Sequence, residues 1–148
     1  MKRIRVLCGI FALLIVVSVA GCGLIGEQSY TCDVENVKFV QIVKIGEYDK
    51  HTYRFTHTTL CEIEDPTAFI ERLLSIKQSV NWGDPGTFQT GDIAIYIEFE
   101  NGDFDRISAT AQTKIRDGAK GGGGYIFFNK EQFNALLNDY LPENEQIG

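Results

Sequence analysis

Of the 148 residues, the run from Ile93 to Ile107, IAIYIEFENGDFDRI, most narrows the folds open to the chain. Apolar and polar residues alternate on both sides of Asn101-Gly102. That dipeptide is the strongest short signal of a two-residue type I′ hairpin, whose central residues both need positive φ. A two-residue turn sets Glu100 opposite Asp103, Phe99 opposite Phe104, Glu98 opposite Asp105 and Tyr96 opposite Ile107. Successive side chains point to opposite faces of a strand. Ile93, Ile95, Ile97, Phe99 and Phe104 are therefore expected on a buried face, and Glu98, Glu100, Asp103 and Asp105 on the other.

The remaining elements extend this hairpin into a sheet. VENVKFVQIVKI (34–45) and HTYRFTHTTLCEI (51–63) read as two strands joined by a GEYDK turn. DFDRISATAQT (103–113) and YIFF (125–128) are strand-like in composition. DPTAFIERLLSIKQ predicts a helix over about 66–78, with Asp65 as cap, Pro66 at the first position and an apolar stripe of Phe69, Ile70, Leu73, Leu74 and Ile76. A second helix starts in FNKEQFNALLNDYLP, with Asn129 as cap, Gln132 at the capping-box position and Phe128 placed to staple against Phe133. The simplest architecture is an α+β two-layer sandwich: an antiparallel sheet of about five strands with both helices on one face. Its other face is left to solvent or to a ligand.

Two directly opposed carboxylate pairs repel each other. Glu98, Glu100, Asp103 and Asp105 therefore form a candidate site for Ca²⁺, which takes hard oxygen ligands, or for a protein partner with a basic surface. The competing reading is a well-solvated hairpin end, since a flat acidic face lacks the wrapped loop that completes Ca²⁺ coordination. Trp82, Phe88 and Tyr96, near a long loop, form a candidate aromatic contact patch. GAKGGGGYIFF runs from glycines into a strand without a following Gly-Lys-Ser/Thr, which reads as a connection and not a phosphate cradle. His51 and His57 fall too far apart on one strand to share a metal ion, and no serine or cysteine has the setting of a nucleophile. No catalytic residue is assigned, and no cofactor is expected.

The N-terminus carries a different kind of information. Lys2, Arg3 and Arg5 precede a run of apolar or small residues from Val6 to Ala20. That run is shorter than the roughly 20 residues a membrane span needs and suits an export signal. Its end, Val19-Ala20-Gly21-Cys22, resembles the lipobox of bacterial lipoproteins. The resemblance implies cleavage between Gly21 and Cys22 and a diacylglyceryl group on the Cys22 thiol. Two acyl chains hold a protein at a bilayer where one is marginal. Residues 1–21 are then the signal peptide, 22–31 the lipidated N-terminus and a short tether, and 32–148 a single domain. In layout the domain resembles small lipoproteins of Gram-positive bacteria.

Loss of Lys2, Arg3 and Arg5 leaves 11 of the 14 basic residues against 20 acidic ones, a net charge of −9. Such a surface is a poor match for nucleic acid. It is also repelled by anionic lipid, so the membrane contact is expected through the lipid anchor. In an exported chain the remaining Cys32 and Cys61 are a candidate disulfide at the open end of the first hairpin, with two unpaired thiols as the alternative. The function expected is that of an extracytoplasmic, lipid-anchored binding module on the cell membrane, or on the outer membrane of a Gram-negative host. An inhibitor or immunity-type protein is the first alternative and a hydrolase the second.

Overall fold

The computed structural model describes residues 29–51, 54–81, 86–110, 112–115 and 125–148. Among the described residues the elements in chain order are β1 (Val37–Asp49), β2 (Arg54–Glu62), α1 (Pro66–Ser75), β3 (Gln78–Asn81), β4 (Ile93–Phe99), β5 (Phe104–Ile107), β6 (Gln112–Ile115), β7 (Tyr125–Phe128) and α2 (Lys130–Asn138). Short 3₁₀ turns lie at Val34–Asn36 and Glu143–Glu145. The fold is α+β. An antiparallel five-stranded sheet runs in the order β2-β1-β4-β5-β6, and β3 and β7 form a separate two-stranded sheet.

Both helices begin as their sequences dictate. The Asp65 side chain accepts from the Ala68 amide at 3.0 Å with Pro66 behind it, and Asn129 accepts from the Gln132 amide at 3.0 Å. The Phe128 and Phe133 rings lie 5.7 Å apart, which makes the hydrophobic staple. Gln132 itself turns elsewhere, its Oε1 accepting from the Lys77 amide at 3.0 Å. That bond ends α1 early, at Ser75, and leads the chain into β3, within the stretch expected to be helical.

One face of the large sheet carries the main core. Val40, Ile42, Ile95, Ile97, Phe99 and Ile107 pack there against Phe69, Ile70 and Leu73 of α1 and Phe133, Leu136 and Leu137 of α2. Tyr30 joins them, only 2 % exposed, with its amide donating to Gln78 Oε1 at 2.7 Å. The folded unit therefore includes Tyr30, two residues earlier than the boundary expected at 32. Among the described residues no helix is long and apolar enough to cross a membrane.

The first hairpin departs from its expected form. β1 runs through Gly46 to Asp49, so GEYDK is mostly strand, and the turn comes later. Register shifts interrupt the β1–β2 ladder between Ile42 and Val43 and between Ile45 and Tyr48. Such bulges bend a strand and sharpen its twist. Gly46 fits this bend because Thr56 lies against it: a Cβ there would come within 2.3 Å of Thr56 Oγ1. Val43, Ile45, Phe88 and Ala94 form a second, smaller cluster, with Phe55 and Tyr96 packed against it.

Cys61 pairs with Ile42, ten positions beyond Cys32 in the chain. The hairpin register thus does not place the two cysteines opposite each other. Cys61 is a thiol in this structure, its Sγ 3.4 Å from the Glu62 carbonyl oxygen.

Candidate functional site

The β4–β5 hairpin differs from expectation by one residue, with large consequences. Ile97 pairs with Asp105, Tyr96 with Arg106 and Glu98 with Phe104. The amide of Phe99 donates to the Asp103 carbonyl at 3.0 Å, and that of Gly102 to the Phe99 carbonyl at 2.9 Å. The loop is therefore Glu100-Asn101-Gly102, three residues long with Gly102 at φ 84°. This is the bulged hairpin whose last loop residue sits in the left-handed region.

A one-residue slip moves every side chain of the strand to the opposite face. Asp105 turns into the main core, 0 % exposed, and accepts from the Tyr30 hydroxyl at 2.6 Å. Phe104, expected in that core, turns with Arg106 to the opposite face of the sheet, where both are still buried. The acidic face of Glu98, Glu100, Asp103 and Asp105 is consequently not assembled. Glu98 is paired with Lys38 at 2.8 Å, Glu100 is exposed in the loop, and Asp103 accepts from the Asn101 side-chain amide at 2.8 Å. Among the described residues no group of three or more His, Cys, Asp or Glu side chains is placed to hold a metal ion.

Of the expected aromatic patch, Phe88 is buried in the second cluster and unavailable to a partner. Tyr96 is half-buried on the same face. Trp82, like Gly21 and Cys22, lies outside the described residues.

What the register builds instead is a cationic and aromatic site on the face away from the helices. Arg106, 5 % exposed, has its guanidinium carbon 5.9 Å from the Tyr96 ring centre and 5.7 Å from that of Phe104. The Tyr96 and Phe104 rings are stacked, with centroids 5.3 Å apart. Arg54, at the exposed start of β2, lies over the same Phe104 ring at 5.4 Å. His57 closes the group, its ring 4.8 Å from Tyr96 and its Nδ1 3.0 Å from Arg106 Nη2. A guanidinium only donates. Nδ1 must therefore accept, which places the proton of a neutral imidazole on Nε2.

The electrostatics follow from burial beside a cation. Burial, and then the charge of Arg106, hold the His57 pKa below the usual histidine range. Burial raises the Tyr96 phenol, and the neighbouring Glu98, which accepts from its hydroxyl at 3.3 Å, raises it further. Burial pushes Arg106 down from the usual arginine range, and Arg54 adds to that shift. The Nε–H of Arg106 is buried without an acceptor. Neither Arg54 nor Arg106 forms an ion pair with a described carboxylate.

A separate groove of about 400 Å³ lies beside the C-terminal segment, lined by Ser108, Thr110, Lys130 and Asn134 among others. Its Lys44 is already paired with Glu145 at 3.0 Å.

Sequence reasoning did not single out Arg106. The available signal was that it is the one basic residue in an otherwise acidic hairpin, FENGDFDRI. No family model, curated protein or solved structure matches this chain.

Proposed function

We propose that the chain is a lipid-anchored extracytoplasmic protein that works by binding, through the face that carries Arg106, Arg54, His57, Tyr96 and Phe104. The observation that carries this reading is the buried guanidinium of Arg106, which stands among aromatic rings and is paired with no carboxylate among the described residues. A buried charge is costly unless it is paired, and binding surfaces are where such cost is tolerated. Arginine and aromatic residues also dominate interface energetics. The half-exposed Tyr48, 46 % exposed, extends the face along the hairpin tip, packing on Phe55 next to Arg54.

The anchor rests on the Val-Ala-Gly-Cys box. Tyr30 follows Cys22 by eight positions, and a fully extended segment of eight steps reaches at most about 28 Å. The domain therefore works close to the bilayer. An acidic sheet face that mimics a polyanion loses its premise with Asp105 turned inward, and the chemistry of the outer face now favours an anionic group over a basic partner. A hydrolase gains no support from His57, whose Nδ1 is occupied by Arg106.

Two experiments test the reading. Replacing Cys22 with Ser should release the protein from the membrane fraction or leave it uncleaved; fractionation identical to the parent would contradict the anchor. A photo-crosslinking residue at Tyr48 of the anchored chain should give discrete adducts that the same residue at Glu131, on the helical layer, does not. Equal adducts from both positions, or none from Tyr48, would contradict the binding face.

A further inference from the structure

We propose that Arg106 and Arg54 together form an oxyanion site, taking the carboxylate or phosphate group of a small ligand or of a chain end. The inference rests on the binding face described above and names the chemistry recognised there. Four observations converge on it.

First, the guanidinium of Arg106 presents donors in a fixed fork, of which one N–H goes to His57 and the Nε–H has no acceptor. Two oxygens on one group match that fork. Second, Arg54 and Arg106 approach the same Phe104 ring, at 5.4 and 5.7 Å, and the charge of Arg54 acts unfavourably on that of Arg106, a repulsion that a bound anion would relieve. Third, Glu98, the described carboxylate bonded to Tyr96, is held by the Lys38 ammonium at 2.8 Å and by the Tyr96 hydroxyl at 3.3 Å. Fourth, the chain as a whole carries a net charge of −6. A local pair of cations on an acidic molecule suits a small anion, because an extended polyanion would meet the repulsion of the remaining surface.

The exposed member of the pair is Arg54, while Arg106 is buried beside the Tyr96–Phe104 stack. Binding orders Arg54 against a guanidinium already fixed by the rings, which limits the entropy lost.

The test uses the ¹⁵N-labelled full chain in detergent and reads the arginine side-chain Nε–H signals. Sodium phosphate and sodium acetate are titrated separately, each against sodium chloride of matched ionic strength. The Arg106 Nε–H signal should move saturably with at least one of the two anions and not with chloride. The anion that acts tells a phosphate ligand from a carboxylate. Arg54→Ala should weaken that response at least five-fold, whereas Arg72→Ala, on α1, should leave it unchanged. A signal that follows only ionic strength would overturn the oxyanion site, and an Arg54→Ala chain that titrates like the parent would overturn the two-arginine arrangement. Discrete Tyr48 adducts together with a silent Arg106 signal would remove this chemistry and leave the binding face standing. An Arg106 response without adducts would support the oxyanion site with a small ligand and count against a macromolecular partner on this face.

Discussion

His57 and Arg106 meet at 3.0 Å although β2 and β5 are three places apart in the sheet. In a flat sheet three strand spacings amount to about 14 Å. The long Arg106 side chain covers part of that span, and the two irregularities in the β1–β2 ladder, which bend and twist the strand, account for the rest.

The first prediction concerns the pH dependence of this contact. An unfolded histidine titrates near 6.5, while burial and Arg106 hold folded His57 lower. Between those two values the unfolded chain binds a proton that the folded chain does not. The contribution to stability is thus complete above pH about 6.5 and lost as pH falls toward the folded pKa. Among the described residues Arg106, Arg54, Tyr96 and Glu98 are the ionisable groups grouped with the ring, and burial, followed by the charge of Arg106, sets the sign. Urea denaturation of the parent and of His57→Gln across pH 5 to 8 should show the variant losing less stability on acidification, by up to about 1.4 kcal/mol per pH unit. Parallel curves would mean that His57 does not titrate against Arg106.

A second prediction isolates the inward carboxylate. Tyr30→Phe removes the 2.6 Å bond to buried Asp105 while keeping the ring. Stability should fall by about 1–3 kcal/mol, the range for a lost buried hydrogen bond. A chemical denaturation midpoint unchanged from the parent would show that Asp105 does not depend on Tyr30.

The bend at Gly46 supplies a third. Gly46→Ala drives a methyl group into Thr56 Oγ1 and close to the Thr56 carbonyl oxygen, and Thr56 Oγ1 also donates to the Glu47 carbonyl at 3.2 Å. Overpacking of this kind costs about 1–3 kcal/mol. Adding Thr56→Ala removes the hydroxyl and should recover most of the loss. Additive losses in the double variant would show that the close approach is not what makes glycine necessary.

Much of the architecture was legible in sequence because it rests on local signals. The caps at Asp65 and Asn129, the Phe128–Phe133 staple, and the spans 93–99 and 125–128 follow from neighbours within a few residues. The β4–β5 register did not follow, for a specific reason. With a two-residue turn the strand FDRI would turn Phe104 and Arg106 inward; with a three-residue loop it turns Asp105 and Ile107 inward. Each choice buries one apolar and one charged side chain, and Gly102 serves either turn. The partner that settles it, the Tyr30 hydroxyl, is 75 positions away. Gly46 inside an alternating strand is a readable sign of a bulge, but the polar residues that follow it read equally as a turn. The contact of His57 with Arg106 had no sequence signature, because it depends on that bend and on the register together.

The register is also the basis of the proposed site, since it alone puts Arg106 on the outer face. It can be measured directly from nuclear Overhauser contacts between backbone protons of β4 and β5. The structure predicts cross-strand contacts pairing Tyr96 with Arg106 and Ile97 with Asp105. Contacts pairing Tyr96 with Ile107 and Glu98 with Asp105 would contradict it, returning Asp105 to the acidic outer face and removing Arg106 from the site.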